Sequence, residues 1–161
     1  MRLSEHPDGI ELGAGRHVVY DLAAGEAFLG AATVSAHAIV WELDDPGPGY
    51  VVRCDRVDFP AGGIAYRHVH PGPGIRRVLR GALTIDRGDG NSRTYRAGDS
   101  WEEGADDPVL ATASATEDTA FVRVLILPDE WAGQRTIRYV DPADEEKPRL
   151  QRATVLLEAP L

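Results

Sequence analysis

Residues 62–85 read Gly-Gly-Ile-Ala-Tyr-Arg-His-Val-His-Pro-Gly-Pro-Gly-Ile-Arg-Arg-Val-Leu-Arg-Gly-Ala-Leu-Thr-Ile. Ala65–His70 is an extended run and Pro71–Gly74 is a tight loop rich in turn formers. Ile75–Leu79 is a second strand, ended by Gly81. Ala82–Asp86 alternates, with Leu83 and Ile85 on one face and Thr84 and Asp86 on the other. The period of a strand places His68 and His70 on one face, and Tyr66 on the same face. Two imidazoles so spaced can hold one metal ion at about 2.0–2.2 Å.

The same texture continues on both sides. Tyr50–Phe59 is a Val-rich strand between the Asp44–Gly49 turn and the Pro60–Gly63 turn. Gly88–Asn91 is a hairpin turn leading into Ser92–Arg96, and Ala97–Asp99 is a turn before Ser100–Glu103. Pro108–Ala113 and Phe121–Leu127 follow; the second is almost wholly apolar and predicts a central strand covered on both faces. Val18–Tyr20, Ala31–Leu43, Arg135–Val140 and Ala153–Leu157 complete the strand-like segments. Residues 1–17 read as an irregular arm, Pro128–Gly133 as a connector with one helical turn, and Asp141–Pro148 as a charged loop in which Asp144–Glu146 is solvated. Eight to eleven short strands with no long amphipathic helix predict an all-β barrel or sandwich and argue against an α/β fold.

The chain has 161 residues, which suits one domain, 1–161. Its net charge of −9 argues against nucleic acid and anionic membranes as partners. No apolar run approaches the roughly 20 residues of a membrane span, and no secretory leader is visible, so the cytoplasm is expected. Cys54 is the only cysteine and reads as a small buried residue. No phosphate-cradling loop with Lys, no Gly-x-Ser-x-Gly and no paired-Cys site is present.

The spacing around the histidines resembles a known pattern. Gly62 is followed by five residues, His68–Val69–His70, three residues, Gly74, six residues and Gly81. This resembles the first motif of the cupin superfamily, and Ala97–Gly98–Asp99 looks like the opening of its second motif. The resemblance covers about residues 50–127. It implies a cupin-type β-barrel or jelly roll with N- and C-terminal extensions. It also implies a divalent transition metal (Zn, Fe, Mn or Ni), a small-molecule ligand and a homodimer. In the family, position 74 carries a metal-binding glutamate and a histidine closes the second motif. Here the residues are Gly74 and Val109, so only His68 and His70 match.

A third metal ligand is then expected from Glu103, at the end of the strand after Asp99, with Trp101 on the same face and Glu102 pointing away. Glu103 could equally be an ion-paired rim carboxylate. His37 is a further candidate ligand or a surface residue. Arg76 continues the face of position 74 and should point inward, either pairing with Glu103 or clamping an anionic substrate. Tyr66 is a candidate proton donor or a wall of the barrel. Arg123 interrupts an apolar strand and needs a partner, an ion pair foremost. Residues 67–96 hold seven Arg and only two acids, a local excess that suggests an anionic small molecule. Three functions stay open. One is a metal-dependent enzyme of oxygenase, isomerase or lyase type using His68, His70, Glu103, Arg76 and Tyr66. The second is a non-catalytic binding or sensing module with a weak or absent metal site. The third is a metal-free catalyst with a histidine base.

Overall fold

A computed structural model describes all of residues 1–161. The N-terminal part forms β1 (Arg2–His6), β2 (Ile10–Leu12), β3 (His17–Asp21), β4 (Glu26–Leu29), β5 (Ala32–Val34) and β6 (Ala38–Glu42). The central part forms β7 (Tyr50–Phe59), β8 (Ile64–Val69), β9 (Gly74–Arg80), β10 (Ala82–Asp86), β11 (Ser92–Arg96), β12 (Ser100–Glu103), β13 (Val109–Ala113) and β14 (Thr119–Pro128). Then come β15 (Arg138–Tyr139) and β16 (Arg152–Pro160), with short 3-10 helices at Asp129–Trp131 and Pro142–Glu146. No helix is long and apolar enough to cross a membrane.

Two five-stranded sheets, β11-β10-β13-β8-β15 and β12-β9-β14-β7-β16, make the jelly roll. Hydrogen bonding does not close them into a barrel; each keeps two edges. The first contributes Leu83, Ile85, Val109 and Ala111, and the second Val57, Phe59, Val78, Trp101 and Phe121, to one shared apolar cluster. A four-stranded sheet, β1-β6-β3-β4, lies on the outer side of the second sheet, and β2 pairs with β5. Val18, Ile39 and Trp41 there pack with Val52, Cys54, Val122 and Val124.

The second sheet is therefore a middle layer, and its strands carry two messages in alternate positions. On β7, Val52 and Cys54 face the N-terminal sheet, while Arg53, Asp55, Val57 and Phe59 face the interior between the large sheets. On β14, Val122, Val124 and Ile126 face outward, and Phe121 and Arg123 inward. Coverage on both faces explains why Phe121–Leu127 is nearly all apolar, as expected. Burial in this layer pushes the Cys54 thiol up, in keeping with an inert core residue.

Several expectations needed correction. Residues 1–17 are not an irregular arm: β1 pairs with β6 and β2 with β5, so they cover this chain's own sheets. Ala31–Leu43 divides into β5 and β6, and Arg135–Val140 yields only the two residues of β15. In the acidic run Asp144–Glu146 of the charged loop, Asp144 is buried beside Lys147, and Glu145 and Glu146 are exposed.

Candidate functional site

A cavity of about 310 Å³ lies between the two large sheets. Half of its lining residues are apolar, among them Phe59, Leu83, Trp101 and Phe121. Trp101 stacks on Tyr95 at 5.0 Å between ring centroids and meets Phe121 edge-on at 5.4 Å. A polar group is set into this wall: His68 and His70 from the end of β8, Arg76 from β9, Glu103 from β12, Asp55 from β7 and Arg123 from β14. All six are buried.

Each polar residue is positioned by backbone geometry. The β9–β12 ladder sets Glu103 directly opposite Gly74, so a carboxylate enters the cavity from the neighbouring strand. Trp101 Nε1 donates to Glu103 Oε1 at 2.7 Å, and Arg76 Nη2 lies 2.6 Å from Glu103 Oε2. That ion pair is close but not aligned as a hydrogen bond, since Nη2 has no hydrogen-bond acceptor. Arg76 Nη1 donates to the Gly74 carbonyl at 2.6 Å. Arg123 donates from Nε and Nη2 to Asp55 Oδ2 at 3.1 and 2.9 Å. Its Nη1 sits 3.1 Å from His70 Nε2.

The tautomers follow from these partners. His68 Nδ1 is 2.7 Å from the Tyr66 carbonyl, and His70 Nδ1 is 3.2 Å from the Thr136 carbonyl. A carbonyl only accepts, so both Nδ1 atoms carry the proton and both Nε2 atoms present lone pairs. Burial, reinforced by the charges of Arg123 and Arg76, pushes His68 down to about 4 against the opposing pull of the Tyr66 carbonyl and Glu103. The same burial holds His70 well below its ordinary value, with Arg123 and Arg76 adding to the effect. Burial also lowers Arg76 to about 10, and Glu103 offsets part of that.

The histidines make folding stability sensitive to pH. An unfolded chain protonates His68 near pH 6.5, whereas the folded cavity resists until about 4. The stabilisation from a neutral His68 is therefore complete above about pH 6.5 and drains away as pH falls toward 4. A shift of that size corresponds to roughly 3 kcal/mol. The urea midpoint should fall between pH 7 and 4.5, and His68→Phe should flatten that fall. Equal slopes in the two proteins would show that His68 is not the group responsible.

Tyr66 does not reach the cavity, although period 2 places it with the histidines. Ala65 pairs with Ala111 and His68 with Val109, so β8 spends three steps where β13 spends two. The extra residue is a β-bulge. It turns Tyr66 out, where the Lys147 ammonium lies 4.4 Å from its ring centroid. His37 is also elsewhere, paired with Glu5 near the surface. Arg123 has the expected ion-pair partner in Asp55, and in addition touches His70.

Residues 55–122 match the family model described as a cupin domain. This chain carries a cupin domain. No curated protein sequence matches the chain. Solved structures similar to the cupin include a polyketide cyclase from Streptomyces resistomycificus, at 17% identity and a TM-score of 0.46, covering 87% of this chain and 85% of that one. A RmlC-like cupin from Shewanella frigidimarina gives 19% identity and a TM-score of 0.43, over 55% of this chain and 86% of that one. A cupin-like protein from Thermotoga maritima gives 17% identity and a TM-score of 0.43, over 63% and 94%.

Cupins imply a divalent metal, and the side chains here do not fit one. No group of three or more His, Cys, Asp or Glu is placed to hold an ion. The expected set of His68, His70 and Glu103 lines one cavity but is otherwise engaged. Arg123 occupies the lone pair of His70 that an ion would use, and Arg76 with Trp101 takes both oxygens of Glu103. Two guanidinium charges beside the histidines also repel a dication.

The local Arg excess has partners from distant segments as well. Arg67 faces Asp86 at 3.3 Å, Arg77 pairs with Glu5, Arg80 with Asp58 at 3.3 Å, and Arg87 with Asp107 at 3.9 Å. Arg93 lies over Tyr95. Within the cavity Arg76 is matched by Glu103 and Arg123 by Asp55.

Proposed function

We propose that this cupin binds a small organic molecule between its two large sheets through side-chain contacts alone, without a resident divalent ion. The observation that carries the reading is the Arg123 guanidinium 3.1 Å from His70 Nε2. A permanent cation there substitutes for the ion that a His-x-His pair would otherwise share. The cavity volume of about 310 Å³ falls at the small end of the roughly 300–1,000 Å³ typical of ligand pockets. The polar cluster orients the ligand, and the aromatic wall supplies the apolar contact.

Elemental mass spectrometry on untagged protein, as purified and after reloading with Zn, Fe, Mn or Ni, tests the reading. The expected content is far below one ion per chain, and unchanged in His68→Ala/His70→Ala. Near-stoichiometric metal that the double substitution removes would sink the proposal. It would restore the metalloenzyme reading with His68, His70 and Glu103 as ligands.

A further inference from the structure

The cavity's polar atoms are unbalanced in hydrogen-bonding type. His68 Nε2 offers a lone pair, fixed by the Nδ1 contact to the Tyr66 carbonyl, and no donor in the protein meets it. Asp55 Oδ1 and Gln151 Oε1 are buried and without donors, and both residues line the same cavity. On the donor side, the guanidinium of Arg123 is committed to Asp55, His70 and Thr136. Arg76 Nη1 is committed to the Gly74 carbonyl, while Nη2 is ion-paired with Glu103 without a hydrogen bond. Three acceptors are therefore left over against one donor, Arg76 Nη2. Buried acceptors without a donor are destabilising, so whatever fills the space should bring O–H or N–H groups.

Two features narrow the occupant. The pairs Arg76–Glu103 and Arg123–Asp55 balance the charge around the histidines, so a carboxylate placed at His68 would meet its lone pair and no unpaired cation. Trp101, backed by Tyr95, and Phe121 and Phe59 line the cavity with flat apolar surfaces better suited to a ring than to a polyol. A volume of about 310 Å³ equals about ten waters at roughly 30 Å³ each, which suits about ten non-hydrogen atoms.

We propose that the ligand is an uncharged phenol-type compound of one or two fused rings, whose hydroxyl donates to His68 Nε2. The inference rests on the metal-independent binding reading above. His68 is then the residue that selects a hydroxyl over a carboxylate, and Gln151 is a second acceptor at the cavity wall.

Isothermal titration calorimetry with 2-naphthol, 2-methoxynaphthalene and 2-naphthoate tests it on the full chain. The three share a ring system and differ in donor and charge. The expected order puts 2-naphthol at least about tenfold tighter than either of the others, the equivalent of one hydrogen bond. His68→Phe keeps a ring but removes the acceptor, and should bring 2-naphthol to the affinity of the methoxy compound while leaving the latter unchanged. Should His68→Phe not fold, Gln151→Leu at a half-buried wall position should weaken 2-naphthol severalfold and the methoxy compound not at all. Preference for 2-naphthoate, equal affinity for 2-naphthol and 2-methoxynaphthalene, or binding of none overturns the inference. Binding of 2-naphthol that chelator abolishes and zinc restores overturns instead the metal-independent reading beneath it.

Discussion

Gly74→Glu, which would restore the family's acidic ligand position, should give a chain that fails to fold. Gly74 lies in the β9–β14 ladder opposite Leu125. A Cβ at that position would fall within contact distance of the Val124 carbonyl oxygen and 2.6 Å from Leu125 Cδ2. The first obstacle is backbone in a central strand, so a rotamer change cannot relieve it. The new carboxylate would also enter beside Glu103, its direct partner across the β9–β12 ladder. Ordinary overpacking costs about 1–3 kcal/mol. Backbone overlap and a second buried acid should take the loss beyond about 4 kcal/mol, the range that unfolds many domains. Soluble yield and urea denaturation measure it. A stable Gly74→Glu protein that gains one zinc per chain would show that the site kept room for an ion.

Arg123→Met should destabilise the fold by roughly 3–5 kcal/mol, because it leaves the Asp55 carboxylate buried without its cation. Asp55 is 2% exposed and its Oδ2 takes two bonds from Arg123. The same substitution strips His70 Nε2 of its donor. Adding Asp55→Leu removes the stranded charge and should return most of the loss, since an apolar pair of similar size is often tolerated in place of a buried ion pair. A double-mutant cycle by urea denaturation reads the coupling. Additive losses would mean that the two groups act independently.

The central strands were legible because their punctuation is local. Gly88–Asn91 and Ala97–Asp99 set the ends of β10, β11 and β12 by turn chemistry alone, and β7 lies between two Pro-Gly turns. The N-terminal strands were not legible for the opposite reason. Leu3, Ile10 and Leu12 sit among charged residues in stretches of three to five residues. They become strands only through pairing with β6 and β5, which a local pattern does not contain.

The site divides along the same line. Period 2 brought His68, His70, Arg76 and Glu103 to one cavity, and the structure gathers all four. It misplaced Tyr66, since a bulge depends on the partner strand's count. Asp55 was overlooked as the partner of Arg123. Its signal was present: Arg53 and Asp55 are charged residues two apart inside a Val-rich strand, on the face that Val57 and Phe59 extend. Thr136 and Gln151 reach the site from irregular segments and carried no comparable mark.

The middle layer has a consequence for how the protein assembles in time. Phe59 on β7 pairs with Thr119, 60 positions away, and Val51 pairs with Pro160, 109 positions away. Large loops must close before these ladders contribute, which places such topologies in the range of roughly milliseconds to seconds. The charged groups of the cavity come from β7, β9, β12 and β14, so none is sealed from water until those closures are complete. Their mutual pairing belongs to the last stage of folding, after the rate has been set by the apolar ladders. Changes to the cluster should thus leave the folding rate nearly untouched and speed the rate at which the native sheets come apart.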